Sequence, residues 1–270
     1  MTGLEIRGLA LELGGRRILD GVDVTVPAGQ VTGLAGESGS GKTMTGIAVI
    51  GLAPAGSKVT GSVSYDDGEE QVPNLLALRP GALNRMRGRR IAMVFQDPTA
   101  SLQPMLPIGT QLTDHVRHHL GLSRSAARTR AVELLERVRV PSPEAALKRY
   151  PHQFSGGQLQ RIAIAIAIAC EPKVLIADEP TTALDVTVQA GVLRLLRELT
   201  DDLGLAVLLV THDLGVMSAV ADTVAVMRSG SVVEHGTRYQ VIREPRTEYA
   251  RELVESLPHT PPPGVGKETE

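Results

Sequence analysis

Residues 36–43 have the types and spacing of a loop that binds phosphate. Glycines in such a loop allow tight turns in which backbone N–H groups point inward. Lys42 would place a positive charge beside the β- and γ-phosphates, and the Thr43 hydroxyl suits Mg²⁺. The full stretch is Gly36, Glu37, Ser38, Gly39, Ser40, Gly41, Lys42 and Thr43. It predicts a site for a nucleotide together with a magnesium ion.

Two consecutive acids, Asp178 and Glu179, follow a second apolar segment at residues 174–177. In a parallel sheet, ligands bind at the ends of strands. Asp178 could therefore hold the ion that Thr43 binds, and Glu179 could orient or deprotonate an attacking water. Without the phosphate loop, the pair would fit the polar edge of a loop equally well. With the loop present, we interpret Asp178 as a magnesium ligand.

The surrounding pattern predicts an α/β fold. The loop lies between a buried strand at 31–35 and a helix predicted from Lys42 to about Leu52. Other predicted strands lie at 9–13, 22–26, 59–65, 91–95, 174–177, 207–210, 224–227 and 231–234. The first two alternate as antiparallel strands do, and the last two predict a hairpin around Ser229 and Gly230. The remaining strands alternate with helices, including a helical region at 107–149, and this predicts a mostly parallel sheet.

Residues 162–169 alternate isoleucine with alanine, as a strand would alternate two faces. Alanine is as apolar as its neighbours here, so the alternation defines no polar face. Because alanine strongly favours helix, we predict a buried helix.

Composition excludes several classes of protein. With 28 basic and 30 acidic residues, the formal charge is 28 − 30 = −2, which argues against a nucleic-acid partner. Aromatic residues make up only 2%, too few for platforms that stack single strands. The single cysteine, Cys170, excludes an internal disulfide or a multi-cysteine metal site. No segment has the pattern of a signal peptide or a membrane span, so we expect a cytosolic chain.

Further motifs resemble those of ABC-type ATPases. The segment Phe154-Ser155-Gly156-Gly157-Gln158 resembles the signature motif of that family and precedes Asp178 and Glu179, as it does there. Gln96 resembles the glutamine of the Q-loop, Asp185 ends a segment similar to the D-loop, and His212 resembles the switch histidine. Six motifs occur in the family's order.

The resemblance implies a P-loop NTPase core of the RecA-like type, an N-terminal antiparallel β subdomain and an inserted helical subdomain at about 97–172. The cassette would span 1–257, and 258–270 would be a disordered tail. Lys42, Glu179 and His212 would be catalytic, and Thr43, Gln96 and Asp178 would hold Mg²⁺. ATP would be bound by the residues of the phosphate loop and by Thr45, Gln96, Ser155, Gly156, Gly157, Gln158 and Asp185. Because the signature residues belong to the opposite face, two chains would pair head to tail.

Residues 95–104, Tyr150-Pro151-His152 and residues 178–185 resemble the branch of ATPases that power peptide and nickel importers. The expected partners are a second ATPase subunit, in a heterodimer or a homodimer, two membrane permeases and, indirectly, an extracellular binding protein. The chain would lie peripherally on the cytoplasmic face of the membrane. Leu13 stands where many members stack adenine on an aromatic residue, and we therefore expect weak discrimination between bases.

Two other functions fit the sequence less well. A soluble ABC ATPase acting on ribosomes or DNA would be expected to carry tandem cassettes, a long coiled coil or a basic excess, which are lacking here. A phosphate-loop kinase or GTPase would not be expected to contain the motif from Ser155 to Gln158 or the motif at His212. Neither alternative accounts for all six motifs.

Overall fold

The structure, a computed structural model, describes residues 3–182 and 184–256. The predicted tail at 258–270 lies outside the described residues. Within the described ranges, ten strands form two sheets. They are β1 (Gly3–Leu13), β2 (Arg16–Pro27), β3 (Val31–Ala35), β4 (Lys58–Asp66), β5 (Gln71–Val72), β6 (Ile91–Val94), β7 (Val174–Asp178), β8 (Ala206–Thr211), β9 (Thr223–Arg228) and β10 (Ser231–Thr237).

The larger sheet has the strand order β10-β9-β3-β8-β7-β6. All its pairings are parallel except that of β9 with β10, which form the predicted hairpin. Every residue of β3, β7 and β8 is buried. Their continuous apolar sequence is explained by this position, because the central strands of a parallel sheet are covered on both faces. The mostly parallel sheet is confirmed.

The smaller sheet, in the order β2-β1-β4-β5, is antiparallel, as the resemblance implied for the N-terminal region. Its first two strands run for 11 and 12 residues, much longer than the predicted segments. The register shifts between Ile6 and Leu9 and again between Leu9 and Leu11. Because such bulges place extra residues in a strand, they interrupt the strict alternation from which strands are predicted.

The described residues also contain eleven α-helices. They are α1 (Lys42–Val49), α2 (Pro80–Met86), α3 (Pro98–Ser101), α4 (Ile108–Leu120), α5 (Arg124–Arg137), α6 (Pro143–Ala146), α7 (Gly156–Ile168), α8 (Val186–Leu203), α9 (Leu214–Val220), α10 (Arg238–Arg243) and α11 (Glu248–Glu255). Helices α3 to α7 lie between β6 and β7, which are neighbours in the larger sheet. They form the helical insertion that the resemblance implied. None of the helices in the described ranges is long and apolar enough to span a bilayer.

Two helix predictions have different outcomes. The isoleucine–alanine segment is helical, as expected, and nearly all of it is buried within α7. The helix after the phosphate loop ends at Val49 rather than near Leu52. Gly51 adopts a left-handed backbone with φ of +64°, and a left-handed residue just past the last turn ends a helix.

Candidate functional site

The phosphate loop connects β3 to α1 at the carboxyl end of the larger sheet. Two of its glycines are required by the local geometry. Gly36 has φ of +149°, and a Cβ atom there would lie 2.2 Å from the Met227 carbonyl oxygen. Gly41 has φ of +108°, and its Cβ would lie 2.9 Å from Leu19. The loop therefore passes against the core with no space for side chains at these two positions.

The Lys42 side chain lies within the loop and is 5% exposed. Its Nζ donates hydrogen bonds to the carbonyl oxygens of Gly36 and Glu37, both at 2.7 Å. Burial lowers the pKa of Lys42, although the carboxylates of Glu179 and Asp178 act in the opposite direction. The ammonium group is thus fixed beside the loop, where it can bind an anion such as phosphate.

Asp178 is the last residue of β7, and its side chain is buried. The Thr43 hydroxyl donates a hydrogen bond of 3.0 Å to Asp178 Oδ1. The sheet brings these residues together because β3 and β7 are both neighbours of β8. Burial raises the pKa of Asp178, despite the opposing effect of the Thr43 hydrogen bond. A hydroxyl beside a buried carboxylate provides oxygen ligands of the kind that Mg²⁺ prefers.

The Glu179 carboxylate lies within hydrogen-bond distance of three other side chains. His212 Nδ1 lies 2.9 Å from Glu179 Oε1. Gln96 Nε2 donates to Oε2 at 3.2 Å, and the Thr182 hydroxyl donates to the same atom at 2.8 Å. Burial tends to raise the pKa of Glu179, but the hydrogen bonds from His212 and Thr182 outweigh it and hold this pKa below its usual value. Glu179 is therefore held as a carboxylate, the form that a general base requires.

The backbone at Glu179 is strained, with φ of +44°. Left-handed backbone is unfavourable for a residue with a side chain, and it persists where surrounding contacts fix it. The Glu179 N–H donates to the Val210 carbonyl oxygen at 2.8 Å, which anchors the peptide at the end of β8. This backbone conformation turns the carboxylate towards Gln96 and His212.

The phosphate loop and the side chains around Glu179 border one cavity of about 750 Å³. Its lining includes Glu37, Ser38, Gly39, Gly41, Lys42, Thr43, Gln96, Glu179, Thr182 and His212. Ile18 and Met44 add apolar surface. Leu13, expected near the base, does not line this cavity within the described residues, and Ile18 provides the apolar wall instead. A cavity of this size suits a nucleotide.

Three other predicted ligands of ATP, Thr45, Asp185 and Ser40, are not among the residues that line this cavity. Thr45 is fully buried, and its hydroxyl donates to the Gly41 carbonyl oxygen. Asp185 caps α8 by accepting a hydrogen bond from the Val188 N–H. Ser40 is 5% exposed and lies within the loop, with its hydroxyl 3.5 Å from Lys42 Nζ.

The signature residues form the start of α7. Ser155 is the N-cap, and its hydroxyl accepts from the Gln158 N–H while the Gln158 side chain accepts from the Ser155 N–H. A Cβ atom on Gly157 would lie 2.3 Å from Val188, so α8 passes close to this turn. Gly156 has more room, with Leu184 3.6 Å from an equivalent Cβ. Ser155 to Gln158 are not among the residues that line the cavity at Lys42.

Two contributors to this site were not predicted. Thr182 lies three residues after Glu179 in the same turn and donates to its carboxylate. Helix α11 supplies Glu252 and Leu253 to the cavity wall, and its C-cap residue Ser256 adds to it. The proximity of a threonine to the paired acids could have indicated the first. Nothing in the spacing of the chain indicates the second.

Comparisons with known proteins identify the family to which the chain belongs. The family model described as ABC transporter matches residues 19–182. The oligopeptide transport ATP-binding protein OppD of Bacillus subtilis is 42% identical over 261 residues, which cover 94% of this chain and 72% of that protein. The dipeptide transport ATP-binding protein DppD of Haemophilus influenzae is 40% identical over 262 residues, which cover 96% of this chain and 78% of that protein.

Among solved structures, the ATP-binding cassette MJ0796, in a dimeric post-hydrolysis state bound to ADP and Pi, superposes with a TM-score of 0.75 and 27% identity. The match covers 87% of this chain and 98% of that one. The region that matches the family model contains both the phosphate loop and the paired acids. The chain belongs to the ABC transporter family and is an ATP-binding ATPase of that family.

Proposed function

We propose that this chain is the ATP-hydrolysing subunit of an importer for peptides. The observation that carries this proposal is the Glu179 carboxylate, held by Gln96 and His212 in the same cavity as Lys42. OppD and DppD are named for the transport of oligopeptides and dipeptides. These names favour a peptide over nickel, the other cargo predicted from the sequence. They give no support to a function on ribosomes or DNA.

Within the cavity, Lys42 and the loop N–H groups would bind the phosphates. Glu179 would accept the proton of the attacking water, with His212 and Gln96 orienting that water. Thr43, Asp178 and Gln96 fit a magnesium ion because their side chains supply a hydroxyl, a carboxylate and an amide oxygen. When bound, the ion would neutralise charge on the phosphates.

A head-to-tail pair of ATPase subunits would complete the site. The N-terminus of α7, with Ser155 as its cap, is suited to bind an anion, yet its residues do not line the cavity of their own chain. In the pair, Ser155, Gly156, Gly157 and Gln158 would contact the nucleotide of the partner, and Asp185 would lie near the same interface. The second subunit could be a different chain or a copy of this one.

The partners in the membrane would be two permeases, with an extracellular binding protein delivering the cargo, and the chain would lie on the cytoplasmic face. An apolar groove of about 280 Å³ supports a docking site for a permease. Phe95 and Leu52, which line it, are 39% and 47% exposed. Because Phe95 directly precedes Gln96, movement at the nucleotide could reach the groove. We further propose that residues 1–257 form one cassette with an inserted helical unit at 97–172.

Replacing Ser155 with aspartate tests the head-to-tail pair. Aspartate remains a good N-cap, so α7 should keep its start, but its charge would repel a phosphate. We expect ATP hydrolysis by the reconstituted transporter to fall by about 10²-fold or more when every copy is changed. Binding of MgADP to the isolated subunit, measured by calorimetry, should stay at the level of the unchanged chain.

Ser125→Asp provides the matched control, since it adds the same charge to the exposed first turn of α5. It should leave both measurements unaltered. Full hydrolysis by the Ser155→Asp transporter would rule out the proposed role of the signature residues.

Base selectivity gives a second test of the site. Ile18 and Met44 offer apolar contact without hydrogen-bond donors or acceptors in their side chains. We expect the affinities for MgADP and MgGDP to differ by less than about tenfold, equivalent to about 1.4 kcal/mol. Calorimetry with both nucleotides measures this ratio. A much larger preference for adenine would mean that polar groups at the end of α11, such as those of Glu252 and of the C-cap residue Ser256, read the base.

A further inference from the structure

Helix α11 forms part of the nucleotide cavity although no predicted site residue lies on it. Glu252 and Leu253 near its end, and its C-cap residue Ser256, belong to the lining. Leu253 is 8% exposed and packs into the main core. The position of this helix relative to the phosphate loop is therefore set by packing as well as by polar contacts.

The start of α11 is fixed by one carboxylate. Glu234, on β10, accepts hydrogen bonds from the N–H groups of Arg246 and Thr247, at 2.9 and 2.8 Å. It also accepts one from the Thr247 hydroxyl at 2.7 Å. The Thr247 hydroxyl in turn accepts from the Ala250 N–H and caps the helix. These contacts tie α11 to β10, the edge strand of the hairpin whose other strand, β9, pairs with β3 ahead of the phosphate loop.

Tyr249, in the first turn of α11, touches the phosphate loop directly. Its side chain is buried, with the residue 4% exposed, and the Arg228 guanidinium lies 4.7 Å from the centre of its ring. Its hydroxyl accepts a hydrogen bond of 3.1 Å from the backbone N–H of Glu37. This N–H group therefore points at α11.

The hydrogen bond acts on the peptide unit that also holds the catalytic lysine. The Glu37 N–H belongs to the same planar unit as the Gly36 carbonyl. That carbonyl accepts the 2.7 Å hydrogen bond from Lys42 Nζ. Because the unit is planar, the direction of its N–H fixes the direction of its carbonyl. Tyr249 and Lys42 are thus connected through one rigid group, and no other side chain lies between them in this connection.

We propose that Tyr249 is a positioning residue for the phosphate loop, orienting the peptide between Gly36 and Glu37 and through it the Lys42 ammonium group. The inference rests on the proposed nucleotide site. It assigns to the last helix a function in binding the phosphates of any nucleotide, independent of its base. It also makes nucleotide affinity sensitive to whatever displaces α11.

Tyr249→Phe is the direct test, since phenylalanine keeps the ring that packs on Arg228 and removes only the hydroxyl. A single neutral hydrogen bond contributes enough to change an equilibrium by about two- to tenfold. We expect the dissociation constants of MgADP and MgGDP and the KM for ATP to rise by about this factor. The kcat should stay within about twofold, because saturating ATP restores the bound loop.

Tyr239→Phe is the matched control, because Tyr239 lies on α10 and is 64% exposed. It should leave affinity, KM and kcat unaltered. Circular dichroism at the assay temperature should find the nucleotide-free Tyr249→Phe chain as folded as the unchanged one. Loss of affinity that only follows loss of folded protein would contradict positioning, and so would an affinity equal to that of the unchanged chain.

An effect on one base alone would also overturn the inference, since it would place Tyr249 at the base rather than at the phosphates. Lys42→Ala separates this inference from the function on which it rests. If Lys42→Ala weakens binding while Tyr249→Phe does not, only the role of Tyr249 is wrong. If Lys42→Ala binds nucleotide normally, the proposed site itself is wrong.

Discussion

Glu179→Gln is expected to bind ATP normally and to hydrolyse it about 10²- to 10⁴-fold more slowly, the range that a general base contributes. Glutamine has nearly the shape of glutamate and can still accept from Thr182, but it cannot take a proton from water. In the unchanged protein Glu179 is stabilised as a carboxylate, because hydrogen bonds from His212 and Thr182 lower its pKa. Steady-state hydrolysis by the reconstituted transporter measures the loss.

Glu133→Gln is a suitable control, since the Glu133 side chain on α5 is 58% exposed and is not among the residues that line the cavity. It removes the same charge and should leave hydrolysis unaffected. The variant at position 179 should also trap bound ATP, which calorimetry or filter binding with labelled ATP would detect. Undiminished turnover by Glu179→Gln would exclude its assigned role and leave His212 as the candidate base.

The residues of the site that could be predicted are those whose function depends on local spacing. The phosphate loop needs a strand, a turn and a helix in direct succession, and all three lie within one short stretch around Lys42. Asp178 and Glu179 end an apolar strand, and a parallel sheet brings strand ends together at one edge. Local pattern and sheet topology thus suffice to place Thr43 beside Asp178, as the structure finds them.

Contacts between distant parts of the chain could not be predicted in this way. Tyr249 reaches Glu37 across 212 positions, and only the folding of α11 onto the loop brings them together. Register shifts between Ile6 and Leu9 and between Leu9 and Leu11 interrupt the alternation of β1, so the strand extends beyond its alternating segment. The left-handed backbone of Glu179 could not be predicted from its residue type, because glycine is the residue expected in that conformation.

Lys42→Ala is expected to weaken nucleotide binding by at least about tenfold to a hundredfold, as hydrogen bonds to charged groups contribute about 1.5–3 kcal/mol. Lys42 is the only lysine or arginine among the described residues that line the cavity. Its removal leaves the phosphates with backbone N–H groups and the start of α1. Calorimetry with MgADP measures the affinity directly.

Two effects contribute to this loss, and a second substitution separates them. Lys42 carries the positive charge, and it also donates hydrogen bonds to the carbonyl oxygens of Gly36 and Glu37. Alanine would leave both oxygens without this donor. Lys42→Met keeps much of the side-chain volume but has no donor or charge, so it should lose as much affinity as alanine while packing better. Lys58→Ala, at the exposed start of β4, should bind as the unchanged chain does. Normal binding by both Lys42 variants would contradict the proposed nucleotide site.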